Sequence, residues 1–538
     1  GASQDRYLEL QGLLQDGTPL PPRKISLAEF LEKPTWAGLA WGAKAAIRPR
    51  EEKEIRYCIQ RIAQGIPETV VYTHLGWRQI GDSRVYLHAG GAIGSESVEV
   101  EISDRLRRYS LPPRTGDIKE ALRASLSLLE LGPKKVMYSL LALVYLAPLC
   151  ESLRMAGIEP SLLTYIWGPT GTKKSTLIAL LLSHSGNFDA KGLPATFRDT
   201  ANSIEKLAFL AKDTLLAIDD LYPAKDSREK SRLEGVLEHL SRNQGDRTGK
   251  GRMKADTSLR EGLPPRGLAL CSGEVMPLTG SSLARGFIHR LQKGEIDLEK
   301  LSKAQAQKNL LSQAMRGYLE WLAPQLDALP SQFEEAFTHL RQEANKRDAT
   351  KTRHSRLNES ISHLHIGLNV FITFAIFQGT LSQEEGEKIL QEGWDIFNQI
   401  ADEQTQLEKA GEPSKKIAEA SMELEAQGRI YWADMEDTPG FLPGSVKVGW
   451  KNKESGIYYT NLGVLLKEVA LHLRGQEEYL SISKMDFISY LNQNDLLIER
   501  DNGKNQKTIW IRDNSEDKKA RKTFAIAKKF FEGEERVE

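Results

Sequence analysis

Hydrophobic and polar positions follow a pattern that changes three times along the 538 residues. Residues 1–112 hold short apolar runs separated by glycines, which is typical of short β-strands and turns. Between residues 162 and 293, short apolar runs alternate with loops and helical patterns, as in repeated strand–loop–helix units. Residues 298–409 have helical periodicity, and residues 456–511 predict two helices and a β-hairpin. The pattern therefore predicts an α/β core preceded by a β-rich region and followed by helical regions.

The stretch 165–176, YIWGPTGTKKST, joins a predicted strand to a helix through a Gly-rich turn. Such a turn directs backbone N–H groups and a helix N-terminus at phosphates. Lys174 would reach the β/γ-phosphates, and Ser175 would ligate Mg²⁺. Lys173 replaces the second glycine of the usual pattern, so we expect a negative φ there, and an ordinary turn before a buried helix is the alternative. The predicted nucleotide-binding residues of this loop are Gly168, Pro169, Thr170, Gly171, Thr172, Lys173, Lys174, Ser175 and Thr176.

A second apolar run, residues 213–220, ends in two carboxylates. If this strand lies beside the phosphate loop, Asp219 would join the Mg²⁺ shell and Asp220 would act on the attacking water. The alternative is a strand that simply ends in polar turn residues, which the distance from the loop along the chain makes the weaker interpretation. Asp220 is one methylene shorter than the usual glutamate, so its role as a base requires a shifted backbone or an intervening water.

Residues 242–266 are basic and interrupted by glycines. We expect a hairpin whose cations contact a phosphate backbone. A solvated surface hairpin explains the charge equally well, but the next core strand follows directly and favours the DNA contact. That strand ends at Ser272, a polar group on the predicted γ-phosphate side. The predicted DNA-binding residues are Arg247, Lys250, Arg252 and Lys254.

The composition limits which binding partners and which cellular compartment we expect for this protein. The 73 basic and 73 acidic side chains balance to zero net charge, so contact with a polyanion must come from local patches. The three cysteines, Cys58, Cys150 and Cys271, are isolated; they suit a reducing compartment and exclude a four-cysteine zinc site. The most apolar run, residues 136–150, is predicted to be too short to span a bilayer. We therefore expect a cytoplasmic protein without membrane contact.

Taken together, these motifs resemble an AAA+ ATPase of the helicase clade, similar to the minichromosome maintenance and superfamily III helicases. A closer resemblance is to a helicase-like family of unknown-function domains found beside primase-polymerases in phages and mobile elements. The resemblance runs from Leu8 to the helices near Gly379. It is carried by the stretches HLGWRQI, VYLHAGGAIG, TANSIEKLAFLAKDTLLAIDDL, GKGRMKADTSLREGLPPRGLALCSGE and SSLARGFIHRL.

The resemblance implies a homo-oligomeric ring, expected to be a hexamer, that binds ATP and Mg²⁺ between subunits and moves along DNA. It also implies a primase-polymerase as a partner, a first sensor at Ser272, an arginine finger at Arg285 and a second sensor at Arg353 or Arg356, with Arg356 preferred. The implied catalytic residues are Lys174, Asp220, Ser272 and Arg285, and the implied metal ligands are Ser175 and Asp219.

The expected architecture is an α/β AAA+ P-loop core with a β-rich N-terminal domain, a helical lid region and a C-terminal winged helix. The winged helix rests on two predicted helices and a hairpin turned at Asn502-Gly503, and it would contact either DNA or a regulatory protein. The tail is predicted to be helical over residues 518–531. The predicted domains are residues 1–112, 113–295, 296–435 and 436–538.

The leading hypothesis is an ATP-dependent replicative DNA helicase of a mobile element or phage. An AAA+ initiator or loader is one alternative. Such a protein would hydrolyse ATP and remodel DNA but would not release a strand. A DNA-binding scaffold with a degenerate phosphate loop is another, because Lys173 stands where glycine is expected.

Overall fold

The chain folds into two compact units, Gly1–Val71 and Tyr72–Glu538. The structure is a computed structural model. It describes residues 6–33, 35–45, 47–48, 50–66, 68–95, 98–249, 252–253, 259–260, 262–275, 286–348, 353–410, 413–435, 444–476, 482, 484–501, 504–512 and 518–532.

The first unit is a β-hairpin followed by helices. Ser26 caps the first helix, because its hydroxyl accepts a hydrogen bond from the Glu29 backbone N–H. Phe30 and Trp36 are buried and meet edge to face, with ring centroids 5.0 Å apart. The elements are β1 (Tyr7–Leu13), β2 (Pro19–Ser26), α1 (Leu27–Glu32), α2 (Trp36–Trp41) and α3 (Glu52–Ile62). This unit therefore contains more helix than the β-rich prediction allowed.

Residues 72–112 belong to the second unit. The indole N–H of Trp77 donates to the Pro148 carbonyl at 2.8 Å, and Trp77 shares one apolar core with the main sheet. The compact units therefore divide at residue 71 and not at the predicted boundary of 112, because this segment buries its aromatic side chains against the core helices. Its strands are β3 (Val71–Tyr72), β4 (Gly76–Ile80), β5 (Ser83–His88), β6 (Gly91–Ile93) and β7 (Glu99–Val100).

A parallel sheet forms the centre of the second unit, and the fold is mixed α/β. Its strands are β8 (Leu163–Trp167), β9 (Ala195–Thr196), β10 (Leu215–Leu221), β13 (Leu268–Gly273) and β14 (Gly286–Arg290). Two further strands, β11 (Arg252–Met253) and β12 (Leu259–Arg260), form a separate hairpin between β10 and β13 in the chain. In the described residues the sheet order is β14–β8–β13–β10–β9, and its neighbours run parallel. Parallel strands end at a common carboxyl edge, where ligands usually bind.

Helices cover this sheet. Thr200 caps one of them, because its hydroxyl accepts a hydrogen bond from the Ser203 backbone N–H at 3.2 Å. The helices are α4 (Ile118–Leu126), α5 (Lys134–Leu146), α6 (Cys150–Met155), α7 (Lys174–Leu182), α8 (Ala201–Leu210) and α9 (Ser227–Asp246). Short 3₁₀ helices occupy Gly42–Lys44, Ala63–Gly65, Asp104–Leu106, Ser127–Glu130, Ala147–Leu149 and Ala323–Gln325.

Five further helices, counted in the described residues, continue the same core. Tyr145 and Phe371 stack with centroids 3.7 Å apart. Gly367 lets two helices approach closely, since a Cβ there would lie 2.6 Å from the Ala142 carbonyl oxygen. The helices are α10 (Leu298–Ala306), α11 (Lys308–Leu322), α12 (Leu329–Arg347), α13 (Ser355–Phe377) and α14 (Gln383–Ala410).

Two helical stretches pass the length and composition test for a membrane span, Lys134–Met155 and Ser355–Phe377. The predicted apolar run, residues 136–150, lies inside the first stretch, which continues from α5 through a 3₁₀ turn into α6. Inside the protein, 94% and 61% of the tested windows are buried, which is typical of core helices.

The C-terminal region has a core of its own, which includes α15 (Pro413–Ala426). This helix was predicted to belong to the lid. Its remaining elements are β15 (Ile430–Asp434), β16 (Val446–Lys451), β17 (Tyr458–Thr460), α16 (Leu462–Gly475), α17 (Lys484–Gln493), β18 (Leu497–Glu499), β19 (Lys507–Arg512), β20 (Lys518–Ile526) and α18 (Lys528–Glu532).

The C-terminal hairpin differs from its prediction. Strands β18 and β19 both pair with β20, and the ladder of β19 runs from Lys507 opposite Thr523 to Arg512 opposite Lys518. The predicted turn at Asn502-Gly503 lies outside the described residues. The predicted tail helix is wrong over 518–526, because pairing with three strands satisfies this backbone as a strand.

Candidate functional site

The loop between β8 and α7 is held tightly at its first glycine. The Gly168 N–H donates to the Gly273 carbonyl at 3.1 Å. A Cβ on Gly168 would lie 2.0 Å from the Leu291 carbonyl oxygen, so only glycine fits this position. The loop is thus anchored between the ends of β13 and β14, and it forms a backbone cradle at the carboxyl edge of the sheet.

Lys173 has a positive φ of 68°, which contradicts the expected negative value. It precedes the first residue of α7 and takes the left-handed conformation that glycine adopts freely at this point of the usual pattern. Gly171, with φ of 89°, supplies a second left-handed position. The loop therefore keeps a glycine-like backbone, and the lysine carries a strain cost of about 1 kcal/mol.

Lys174 directs its ammonium group into the loop. The Nζ atom donates to the carbonyl oxygens of Gly168 at 2.6 Å and Pro169 at 3.1 Å, and to Thr172 Oγ1 at 3.1 Å. Burial lowers the pKa of Lys174, and the nearby carboxylate of Glu274 is the largest influence in the opposite direction. The ammonium group of Lys174 is thus held inside the loop by two carbonyl oxygens and one hydroxyl.

Asp219 and Ser272 meet at the ends of neighbouring strands. Ser272 is buried, and its hydroxyl donates to Asp219 Oδ1. The pairing of β10 with β13 shifts register between Ile218 and Leu221, so a bulge lies at the two aspartates. Asp219, the predicted metal ligand, therefore lies beside Ser272, the predicted first sensor.

Asp220 occupies the bulge with φ of 69°. Its side chain is 42% exposed and pairs with Arg198 at 3.2 Å. Asp220 is consequently engaged by a cation on the solvent side of the site.

The donor set at this edge fits Mg²⁺. Ser175 lies partly buried in the first turn of α7, and Asp219 offers a carboxylate. Magnesium is usually bound by one or two carboxylates together with substrate phosphates and water. Within the described part of the chain, no three His, Cys, Asp or Glu side chains are grouped to hold a metal. The other loop residues lie exposed at Pro169 and Thr170, buried at Thr172 and partly buried at Thr176.

Two residues of this edge escaped the sequence prediction. Glu274 follows Ser272-Gly273, and it accepts a hydrogen bond from the hydroxyl of Thr170 in the loop. Lys293 packs against the loop, with its Cε 3.7 Å from the Cβ position of Gly171. The signal for Glu274 was an acidic residue two positions after a predicted strand end. Lys293 lies in a turn with no such pattern.

Arg247 does not fit its predicted role in binding DNA. Its guanidinium donates to the Gly267 carbonyl at 2.8 Å and to the Pro160 carbonyl, at the amino ends of β13 and β8. Burial lowers the pKa of Arg247. This arginine closes α9 onto the amino edge of the sheet, where two of its guanidinium nitrogens donate to backbone carbonyls.

The two candidates for the second sensor also contact other parts of the protein. Arg356 pairs with Asp246 at 3.1 Å, beside Arg247 and therefore on the amino side of the sheet. Arg353 is buried and donates to Asp402 at 2.7 Å and to Asn398 at 2.9 Å. Neither contact brings an arginine to the phosphate loop of its own chain.

Three predicted residues, Lys250, Lys254 and Arg285, lie outside the described residues. The backbone of Arg252 is described, and it pairs with Arg260 across the hairpin of β11 and β12. The predicted hairpin is therefore present in the described backbone, whereas contacts of its cations stay predictions.

Comparison with known proteins supports the fold. Residues 38–256, less than half of the chain, match the profile of a domain of unknown function, DUF927. The structure is similar to one described as "SCCmec type IV Cch - active helicase", with a TM-score of 0.60 and 11% identity over 95% of this chain and 89% of that one. A search of curated sequences returned no match.

A second solved structure, JCV helicase bound to an acetamide compound, matches 47% of this chain and 67% of its own at 13% identity. Its TM-score of 0.25 is too low to carry an argument. The chain is thus similar in sequence to an uncharacterised domain and similar in fold to a helicase structure.

Proposed function

We propose that this chain is an ATP-dependent DNA helicase with an AAA+ core, and that it works in the cytoplasm as a homo-oligomeric ring, expected to be a hexamer. The observation that carries the proposal is the meeting of the Gly168 cradle, Lys174 and the Asp219–Ser272 pair at one carboxyl edge. A helicase-like fold over 95% of the chain supports the same class of protein. Replication of a mobile element or phage, beside a primase-polymerase, is the context that we propose.

The chemistry follows from the groups at this edge. Loop N–H groups and Lys174 would bind the triphosphate. Asp219 and Ser175 would hold Mg²⁺, which neutralises phosphate charge when bound. Ser272 orients Asp219, and Arg285 of a neighbouring copy would stabilise the charge that develops during transfer. The sequence assigns the attacking water to Asp220.

Movement along DNA is proposed for the hairpin of β11 and β12. Lys250, Arg252 and Lys254 would contact the phosphate backbone there, without reading sequence. The hairpin precedes β13 in the chain, and Ser272 lies near the carboxyl end of β13. We therefore propose that β13 transmits a movement of the hairpin to the edge of the sheet where the nucleotide would bind. A C-terminal winged helix and a helical lid complete the proposal.

The test is strand displacement on forked DNA with Mg²⁺ and ATP. The wild type should release the displaced strand, and Lys174→Ala should lower ATP hydrolysis by a factor of about 10²–10³ and stop release. Lys206→Ala, which changes an exposed lysine on α8, is the matched control and should behave as wild type. Release of the strand by Lys174→Ala at the wild-type rate would contradict the proposal.

The same assay separates the alternatives. An initiator or loader would hydrolyse ATP and release no strand. A scaffold would show no ATP turnover that depends on Lys174; the glycine-like φ of Lys173 argues against this alternative, because the loop backbone is kept.

A further inference from the structure

Glu274 is fixed between the phosphate loop and the end of the acidic strand. Its backbone N–H donates to the Leu221 carbonyl at 2.8 Å, immediately after Asp220. The carbonyl of the preceding Gly273 accepts from the Gly168 N–H, and the carbonyl of the following Val275 accepts from the Tyr165 hydroxyl at 2.8 Å. Three hydrogen bonds to β8, β10 and the loop therefore hold this short segment, and rigid support of this kind is what a catalytic group needs.

The side chain of Glu274 faces the loop. Its carboxylate accepts from the hydroxyl of Thr170, an exposed residue two positions after Gly168. A hydroxyl on an exposed loop is a partner that can be exchanged when phosphate enters. Glu274 lies partly buried, and its charge acts on Lys174, the group that reaches the β/γ-phosphates. The carboxylate is thus on the side of the loop where the terminal phosphate would lie.

Asp220, the residue that sequence reasoning chose as base, is placed differently. It is 42% exposed and already paired with Arg198 at 3.2 Å, and the Arg198 guanidinium also lies 5.6 Å from the centre of the Tyr222 ring. The carboxylate of Asp220 is therefore already engaged by a cation on the solvent side of the site. The exposure of Asp220 and its ion pair with Arg198 suit a contact at the solvent-exposed rim of the site.

We propose that Glu274 is the general base of hydrolysis, an inference that rests on the proposed function. The oxygen of the attacking water forms a bond to the γ-phosphorus while one of its protons passes to the Glu274 carboxylate. The bond from the γ-phosphorus to the bridging oxygen breaks, and its electron pair leaves with ADP. Thr170, released from Glu274, stays with the loop, and Asp220 holds Arg198 at the rim.

The experiment compares Glu274→Gln with Asp220→Asn in single-turnover hydrolysis and in titration with a fluorescent ATP analogue. Glu274→Gln should lower the rate of hydrolysis by a factor of about 10²–10⁴ and leave analogue affinity unchanged, which is the effect of removing a base. It should also retain unhydrolysed ATP after gel filtration. Asp220→Asn should lower the rate by less than Glu274→Gln does. Glu299→Gln, an exposed change on α10, should match wild type.

Two further variants keep the test decisive. Glu274→Asp keeps a carboxylate, so it should recover part of the lost rate if the group acts as a base, and it serves if the amide variant fails to fold. Wild-type hydrolysis by Glu274→Gln, together with loss of hydrolysis in Asp220→Asn, would overturn the inference. If Lys174→Ala leaves analogue affinity unchanged, the proposed nucleotide site itself is wrong, which is a different failure.

Discussion

The two edges of the core sheet carry similar charged side chains and use them differently. At the amino edge, Lys212 pairs with Asp213 at 2.9 Å, and Asp213 is fully buried. At the carboxyl edge, Lys174 donates to carbonyl oxygens of the loop, and among the described residues Glu274 accepts from one exposed threonine. The first set of partners cannot leave without exposing a buried charge, whereas the second can be exchanged for a ligand. The two edges therefore differ in whether the partners of their charged side chains can be exchanged, and the edge with exchangeable partners is the one for which we propose nucleotide binding.

The amino edge joins the segment after residue 71 to the sheet. Asp213 accepts from the Trp77 backbone N–H at 3.0 Å, and Lys212 donates to the Trp77 carbonyl and pairs with Glu151 at 3.3 Å. Gly76 fits closely here, since its Cβ position lies 2.3 Å from the Lys212 carbonyl oxygen. Burial raises the pKa of Asp213 while Lys212 opposes this, so the pair is maintained by mutual contact. These contacts tie the segment after residue 71 to the sheet and stabilise the fold.

The largest effect on stability is expected from Asp213→Ala. Removing the carboxylate leaves Lys212 buried with fewer partners and the Trp77 N–H unpaired, which should lower the free energy of unfolding by about 3 kcal/mol. Urea denaturation followed by tryptophan fluorescence measures the change. Asp213→Asn, which keeps an acceptor for Trp77 and tolerates the φ of 50°, should lose less. Equal stability of wild type and Asp213→Ala would remove the distinction between the two edges.

A smaller effect is expected from Arg247→Ala. The change leaves the Gly267 and Pro160 carbonyls buried without their donor, which should lower the free energy of unfolding by about 2 kcal/mol. DNA affinity of the folded protein, measured by fluorescence anisotropy at two salt concentrations, should not change. Arg242→Ala, an exposed arginine on the same helix, is the control and should leave stability near wild type. A loss of DNA affinity at full stability would restore the original prediction for Arg247.

The smallest effect is expected from Lys173→Gly. Glycine removes the left-handed strain and should raise the free energy of unfolding by up to about 1 kcal/mol. Nucleotide affinity should be kept or improved, because the loop backbone is unchanged. In contrast, Lys206→Gly within α8 should lower stability by about 1 kcal/mol, since glycine is unfavourable in a helix. A destabilised Lys173→Gly in thermal melts would mean that this loop does not hold the left-handed conformation.

The sequence predicted the elements that carry the chemistry, because apolar runs ending in polar residues are local patterns. This signal predicted where β8, β10 and β13 occur along the chain and which polar residues end them. The structure brings Lys174, Asp219 and Ser272 to the same edge of the sheet. Glu274 was missed because its importance lies in the Thr170 contact, between residues far apart along the chain. Arg247 was assigned to DNA because its charge is visible in the sequence, whereas its burial is not.

The position of residues 72–112 and the conformation of the tail differ from the prediction for a related reason. Residues 72–112 were predicted to belong with residues 1–71 to one β-rich N-terminal domain, but Trp77 is buried in the core that includes the sheet. The charged stretch 518–526 suits a helix by local preference, yet pairing with three neighbouring strands makes it β20. In both cases tertiary contacts overrode local preference.

The most direct measurement is a structure of the full chain determined with Mg²⁺ and a non-hydrolysable ATP analogue. We predict phosphate density over the loop that follows β8, with Lys174 Nζ moved from the carbonyls of Gly168 and Pro169 onto the β- and γ-phosphate oxygens, and Arg285 of a second copy nearby. A loop without nucleotide at saturating analogue, or an analogue bound elsewhere on the protein, would contradict the account.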